Sequence, residues 1–265
     1  MKSETVSLLC RPGTHEPLRL ASAPGPDGRA EDVLVGAQSG EVFRIRDGIP
    51  LLLDESQVSG FNRRYQRLYN RLAGLYDAAI RLFANLAGGG EAHFRGDYLR
   101  ELEVQDGNRM LEVSIGTGAN IRYLPVKATY LGVDISWGML KRCQRNLERW
   151  QREAELILGN AEELPLRDEL FDAVLHVGGI NAFSDPARAI REMIRVARAG
   201  AKIVIVDETA KMMESMAWMP SVRKWLQEHR ERFSAPVGLV PEDMKDVQAR
   251  DFARGNLYCL TFTKP

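Results

Sequence analysis

Residues 110–136, MLEVSIGTGANIRYLPVKATYLGVDIS, constrain the fold more than any other stretch. An apolar, β-compatible run through Leu111, Val113 and Ile115 leads directly into Gly116-Thr117-Gly118, and a second apolar run, from Tyr130 to Val133, ends on Asp134. Glycines placed after a strand let the chain turn sharply and let its backbone approach a ligand with no Cβ in the way. Asp134 follows Glu112 by roughly 20 residues, the length over which a strand-helix-strand unit brings a carboxylate to the ribose hydroxyls of a nucleotide-type ligand. The stretch lacks the third glycine of a G-x-G-x-x-G turn. A pyrophosphate cradle is therefore not expected.

Four signatures follow one another along the chain. They are EVSIGTG at 112–118, GVDIS at 132–136 with Met139-Leu140 behind it, GNAEELPL at 159–166, and FDAV at 171–174. Together they resemble the class I S-adenosylmethionine (AdoMet) dependent methyltransferases, over roughly residues 95–208 with a final hairpin towards the C-terminus. The resemblance implies an α/β, Rossmann-like fold, with a mostly parallel seven-stranded sheet and a C-terminal antiparallel hairpin. It implies AdoMet as cofactor and S-adenosylhomocysteine as product; no metal is expected, since the cysteines form no CxxC pair.

It also implies roles for individual residues. Gly116, Thr117 and Gly118 would hold the methionine part, and Glu112 beneath the turn would accept hydrogen bonds from backbone amides or, through water, from the cofactor's ammonium. Asp134 would take the ribose hydroxyls and Ile135 and Met139 would flank the adenine. Asn160, with the backbone of Ala161, would read its edge, since an amide both donates and accepts. Glu162 is expected at the start of a surface helix. Ser114 stands where the family usually has glycine; its Cβ and hydroxyl either bond the methionine carboxylate or crowd the site.

Residues 171–176 read as the fourth strand, followed at its carboxyl end by the loop 177–184, where open α/β sheets present ligands. His176 is the candidate catalytic residue and a candidate cofactor contact, since an imidazole can accept a proton near neutral pH; the alternative is a histidine bonded to neighbouring backbone. Asn181 is a second candidate. A helix is predicted over 187–198 with Asp185-Pro186 as its start signal, then a strand over 201–206. The hairpin pairs 247–252 with 257–262 around Arg254-Gly255-Asn256. Residues 211–233 hold Met212, Met213, Met216, Trp218, Met219 and Trp225, a flexible apolar set suited to a substrate wall, to core or to an oligomer contact.

The chain of 265 residues divides in composition into a small β-rich segment at 1–55, a helical lid or linker at 56–94, and a cofactor-binding domain at 95–265. Apolar residues of 61–86 recur at helical spacing opposite an arginine-rich face. Most of these side chains are expected to pack in the core, with Tyr69 and Tyr76 the exceptions expected to close over the cofactor and shield its sulfonium. The first segment resembles the zinc-ribbon-like domain that accompanies many methyltransferases, through its ending IRDGIPLLL at 45–53. Only Cys10 remains of that family's two cysteine pairs, with His15 nearby and Gly36 and Ser39 where the second pair would fall. Four ligands cannot be assembled, and a ribbon held by packing is expected.

Formal net charge is zero, from 36 basic and 36 acidic residues, and the field expected of a nucleic-acid-wrapping protein is missing. Three scattered cysteines, no secretory leader and no apolar run of roughly 18 residues point to the cytoplasm, with peripheral membrane contact left open. The lead segment and GINAFSDPARAIREMIRV at 179–196 are similar to the ubiquinone and menaquinone C-methyltransferases and phospholipid N-methyltransferases. The expected acceptor is a small, partly apolar molecule. RNA is the alternative, as is a regulatory partner that binds the cofactor without turnover.

Overall fold

The computed structural model describes residues 3–25, 28–53 and 90–265. The predicted lid helix, with Tyr69 and Tyr76, lies outside the described residues, as does most of the linker.

Seven strands form the main sheet: β5 (Arg109–Val113), β6 (Thr129–Asp134), β7 (Glu155–Leu158), β8 (Phe171–Val177), β9 (Ala197–Glu208), β10 (Lys245–Phe252) and β11 (Leu257–Thr263). Their order is β10-β11-β9-β8-β5-β6-β7, with β5 to β9 parallel and β10 and β11 antiparallel. The central strands are apolar on both faces: Leu111 and Val113 face one core cluster, Met110, Ala173 and Leu175 the other. Burial on both faces is what a parallel sheet requires. The chain runs from β5 through β6 to β7 on one side, then returns to place β8 on the other side of β5. That reversal opens a crevice at the carboxyl ends of β5 and β8.

Helix α2 (Gly90–Leu99) precedes β5 and buries Phe94, Arg95, Tyr98 and Leu99. Helix α3 (Trp137–Trp150) begins where Ser136 accepts a hydrogen bond from the Met139 amide at 3.2 Å. Its buried residues Met139, Leu140, Cys143, Asn146 and Leu147 recur at helical spacing. Helix α4 (Pro186–Val196) is capped by Asp185, with proline in its first turn. The sequence placed its end at 198. Ala197 instead turns extended and pairs with Phe171, so β9 starts earlier than predicted.

Glu162 corrects another expectation. It is buried rather than on a surface helix, and its carboxylate accepts the amides of Ser184 (2.9 Å) and Asp185 (3.1 Å), fixing the entry to α4.

The N-terminal residues form helix α1 (Ser3–Val6) and a four-stranded antiparallel sheet, β1 (Leu18–Pro24), β2 (Ala30–Gly36), β3 (Val42–Arg46) and β4 (Ile49–Pro50). Leu9, Leu18, Leu34 and Leu52 belong to the same buried cluster as Leu131, Val133, Ile157 and Leu166. Residues 8–10 run antiparallel to 165–167, through Cys10 N–H to Pro165 O (3.1 Å) and Arg167 N–H to Leu8 O (2.9 Å). Leu51 and Leu52 then lie along Leu158, with Leu52 N–H donating to its carbonyl at 2.9 Å, and cover the edge strand β7.

Where the second cysteine pair would fall, Glu16 fills the space. Its Oε1 accepts the Ser39 hydroxyl at 2.6 Å and the Ser39 amide at 3.2 Å, and a Cβ on Gly36 would lie 1.9 Å from it. Cys10 is fully buried, and burial pushes its thiol up to about 12. His15 is exposed on the turn that returns its amide to Arg11 O. Among the described residues no group of three or more His, Cys, Asp or Glu side chains is placed to share a metal ion.

Candidate active site

The crevice is a cleft lined by Ser114 and Gly116 after β5, Asp134 and Ile135 at the end of β6, Met139 of α3, Asn160 and Ala161 after β7, and Val177 to Gly179 with Ala182 and Phe183 after β8. Its empty space, open solvent included, is ≈ 710 Å³. The carboxyl ends of β5, β6, β7 and β8 all contribute to it.

Asp134 joins two of the sequence signatures. Its Oδ2 accepts the Gly116 amide and its Oδ1 the Ser136 amide, both at 2.8 Å, so the β6 carboxylate holds the glycine turn in place. The carboxylate, with about four acceptor sites, keeps capacity for a ligand hydroxyl. Burial pushes this carboxyl up to about 6 against those amide hydrogen bonds.

The turn itself is left-handed in three places: Ser114 at φ 59°, Gly116 at φ 55° and Gly118 at φ 74°. The family's glycine at the Ser114 position is thus the residue that this backbone favours, and serine sits there under strain. Gly116 lines the cleft, with only the Ser114 carbonyl near a Cβ placed on it, at 4.0 Å. Gly118 faces away from the cleft. A Cβ there would lie 2.6 Å from Cys143 Sγ, so this glycine lets α3 pack against the turn.

Glu112 lies beneath the turn, 3% exposed. Its Oε1 accepts the Asn120 amide at 2.5 Å, while Oε2 is buried without a hydrogen-bond partner among the described residues. Burial pushes the carboxyl up to about 7, opposed by Asn120 and Arg95 and reinforced by the negative charge of Asp134. A buried carboxylate oxygen with nothing bonded to it is costly. It suits a cationic ligand group.

His176 is fully buried behind the cleft wall, its ring edge-on to Phe183 at 5.2 Å between centroids. The Val113 carbonyl at 3.1 Å from Nδ1 only accepts, so Nδ1 carries the proton and donates. Burial holds its pKa below the usual value, against the pull of Asp207 and the Val113 hydrogen bond. This is the backbone-bonded alternative; the side chain is not part of the cleft lining.

Asn181 is likewise committed. Its amide and side chain bind Asp207 Oδ2 (2.9 Å), Glu208 O (2.8 Å) and the Tyr258 hydroxyl (3.1 Å). Asp207 also accepts the Gly179 amide at 3.1 Å and so sets the loop that forms one cleft wall.

Of the cofactor residues named from sequence, the cleft gathers Ser114, Gly116, Asp134, Ile135, Met139, Asn160 and Ala161. Glu112 lies below it, Thr117 and Gly118 support it from outside the lining, and Tyr69 lies outside the described residues. Sequence reasoning singled out the loop after β8 but not its glycines. Gly178 (φ 77°) and Gly179 (φ 110°) bring the wall close, and the doubled glycine after a strand was the available signal. It missed Arg95, Tyr98 and Asn120 behind Glu112 entirely, because no motif spans them.

Residues 111–205 match the family model described as a methyltransferase domain. The chain is 36% identical over 107 residues to the phosphatidylethanolamine N-methyltransferase of Cereibacter sphaeroides, covering 40% of this chain and 53% of that protein. It is 32% identical over 144 residues to the demethylmenaquinone methyltransferase of Thermotoga maritima, covering 53% of this chain and 60% of that protein. The match therefore spans just over half the length of these relatives. Among solved structures, a SAM-dependent methyltransferase from Aquifex aeolicus superposes with a TM-score of 0.52 at 18% identity, over 64% of this chain and 89% of that one.

Proposed function

We propose that this chain, whose residues 111–205 form a class I AdoMet-dependent methyltransferase domain, transfers a methyl group in line to a small, partly apolar acceptor. The observation that carries the reading is the Asp134–Gly116 junction, which sets a carboxylate and a glycine turn into one cleft at the sheet's reversal. Gly116 and Ser114 would hold the methionine part and Asp134 the ribose. Ile135 and Met139 would flank the adenine and Asn160 with Ala161 would read its edge. Glu112 would face the ammonium, which supplies the positive charge that its bare Oε2 lacks.

Bound AdoMet supplies an activated methyl group on a sulfonium that already carries its own leaving group. The protein's tasks are then alignment and exclusion of water, worth about 7–11 kcal/mol in ideal cases. The wall from Val177 to Phe183 is placed to do both, since Gly178 and Gly179 bring its backbone close and Phe183 closes it with an apolar ring. No proton transfer is assigned to His176. The acceptor class draws support from the names of the two relatives, whose acceptors, phosphatidylethanolamine and demethylmenaquinone, are both lipid-like. Helix α5 (Ala210–Ser215) follows β9 at the same end of the sheet, and we assign its methionines Met212 and Met213 to the acceptor side. All three cysteines are free and buried, which fits a reducing cytoplasm. No helix of the described residues is long and apolar enough to cross a membrane.

Calorimetric titration with AdoMet and S-adenosylhomocysteine tests the site. Asp134→Ala removes both the ribose acceptor and the clamp on Gly116, and binding is expected to fall at least about a hundredfold, the worth of roughly two hydrogen bonds to a charged group. Unchanged affinity in this variant would remove Asp134, and with it the cleft, from the account.

A further inference from the structure

Helix α2 reaches the floor of the cleft through a buried polar chain that cofactor contacts alone do not explain. Arg95, 6% exposed, pairs with Glu91 at 2.9 Å and donates through Nη1 to Asn120 Oδ1 at 2.6 Å and to the Tyr98 hydroxyl at 3.1 Å. Tyr98, fully buried against Phe94 and Phe252, donates its own hydroxyl to the same Asn120 oxygen at 2.6 Å. Asn120 Nδ2 then donates to Glu112 Oε1 at 2.5 Å. Two donors converge on the Asn120 oxygen, so the amide has one orientation only, with its NH₂ towards Glu112. Without them it could turn over and present its oxygen, a partner that only a protonated Glu112 could bond.

We propose that Arg95 is a positioning residue for the cofactor's ammonium group, acting through Asn120 to keep Glu112 oriented and ionised. The proposal rests on the AdoMet reading of the cleft. The charges that face Glu112 are Arg95 from α2, which favours the carboxylate, and Asp134 from β6, which opposes it; Asn120 adds its hydrogen bond. Glu91 and Tyr98 of α2 are the remaining titratable groups of this polar network, with the Tyr98 hydroxyl pushed up to about 12 by burial and so neutral at physiological pH. Burial pushes Glu112 up to about 7, and the Asn120 hydrogen bond and the Arg95 charge both pull it back towards the carboxylate. Binding a cation there requires the carboxylate, so affinity falls about tenfold per pH unit below the Glu112 midpoint.

The experiment is AdoMet titration calorimetry between pH 5.5 and 8.5 on the full chain, comparing the natural protein with Arg95→Met and Tyr98→Phe. The ligand's amino group, near pH 8, titrates alike in all three, and Asp134 is not among the groups on which Arg95 acts. The acid limb is expected to move up by about one pH unit or more in Arg95→Met, and by less in Tyr98→Phe, which keeps the ring in place and loses only the donor. Affinity above the limb stays within about threefold of the natural protein. A uniform loss at every pH, or an unmoved limb, overturns the proposal and assigns Arg95 a purely structural role. Should Arg95→Met fail to fold, the Tyr98→Phe limb decides alone. Absence of binding by the natural protein at any pH overturns the AdoMet reading itself, a result distinct from binding with an unmoved limb.

Discussion

At the residue scale, two side chains at the turn after β5 are held at a cost in stability. Ser114 holds φ 59°, a conformation that costs an L-residue roughly 1–2 kcal/mol. Ser114→Gly should therefore stabilise the protein by about 0.5–1 kcal/mol, the relieved strain less the extra chain entropy of glycine. Denaturant melts check it; no gain would mean that the serine hydroxyl has a compensating bond. The second is Glu112. Its folded pKa of about 7 stands above the usual 4.5, so the fold holds this proton more tightly than the unfolded chain does. Stability accordingly falls as pH rises from 4.5 to about 7 and stays reduced above it, by an amount on the order of 3 kcal/mol. Glu112→Gln should raise the ligand-free melting temperature at pH 8, change it little at pH 5, and weaken AdoMet binding. A variant less stable at pH 8 than the natural protein would contradict the assigned protonation. Ser114 was legible in the sequence as a departure from glycine. The burial of Glu112 and the amide that meets it were not, because both depend on a helix that carries no signature.

At the element scale, the turn after β5 divides its labour between two glycines. Gly118→Ala would drive a methyl against Cys143 of α3 and is expected to cost about 1–3 kcal/mol of overpacking beyond its left-handed strain. Gly116→Ala meets open space and should cost only the strain, with its main effect on AdoMet affinity. Melting and binding measured on both variants separate the two roles; equal effects on stability would refute the division. The strands and helices around the turn were legible because local chemistry states them. Alternating apolar runs, Asp185-Pro186 and the Arg254-Gly255-Asn256 turn each fix an element without distant help. Glu162 was misread for the opposite reason. Its neighbours in sequence suggest a helix start, whereas its partners are the amides of Ser184 and Asp185, twenty-odd residues away.

At the scale of the whole molecule, the N-terminal sheet completes the main one. Leu9, Leu18, Leu34 and Leu52 share a core with Leu131, Val133 and Ile157, and residues 51–52 cover the β7 edge. A chain lacking residues 1–53 would expose that edge and part of that core. It should melt at least several degrees lower and associate at micromolar concentration. A truncated chain that stays monomeric and melts with the full one would show the two sheets to be independent. The sequence marked this segment by its ending, IRDGIPLLL, but not its destination, since which strand lies at the sheet's edge is decided by topology rather than by any local pattern. Nor could it show that Glu16 and Ser39 would be joined by hydrogen bonds.

The central claim, methyl transfer to a small, partly apolar acceptor, is tested most directly by incubating the protein with methyl-labelled AdoMet and a cell extract, then separating lipid, small-molecule, protein and RNA fractions, with Asp134→Ala in parallel. The account predicts label in the lipid or small-molecule fraction with the natural protein and its loss with Asp134→Ala. Label confined to RNA, or none in any fraction from a protein that binds AdoMet, would contradict it.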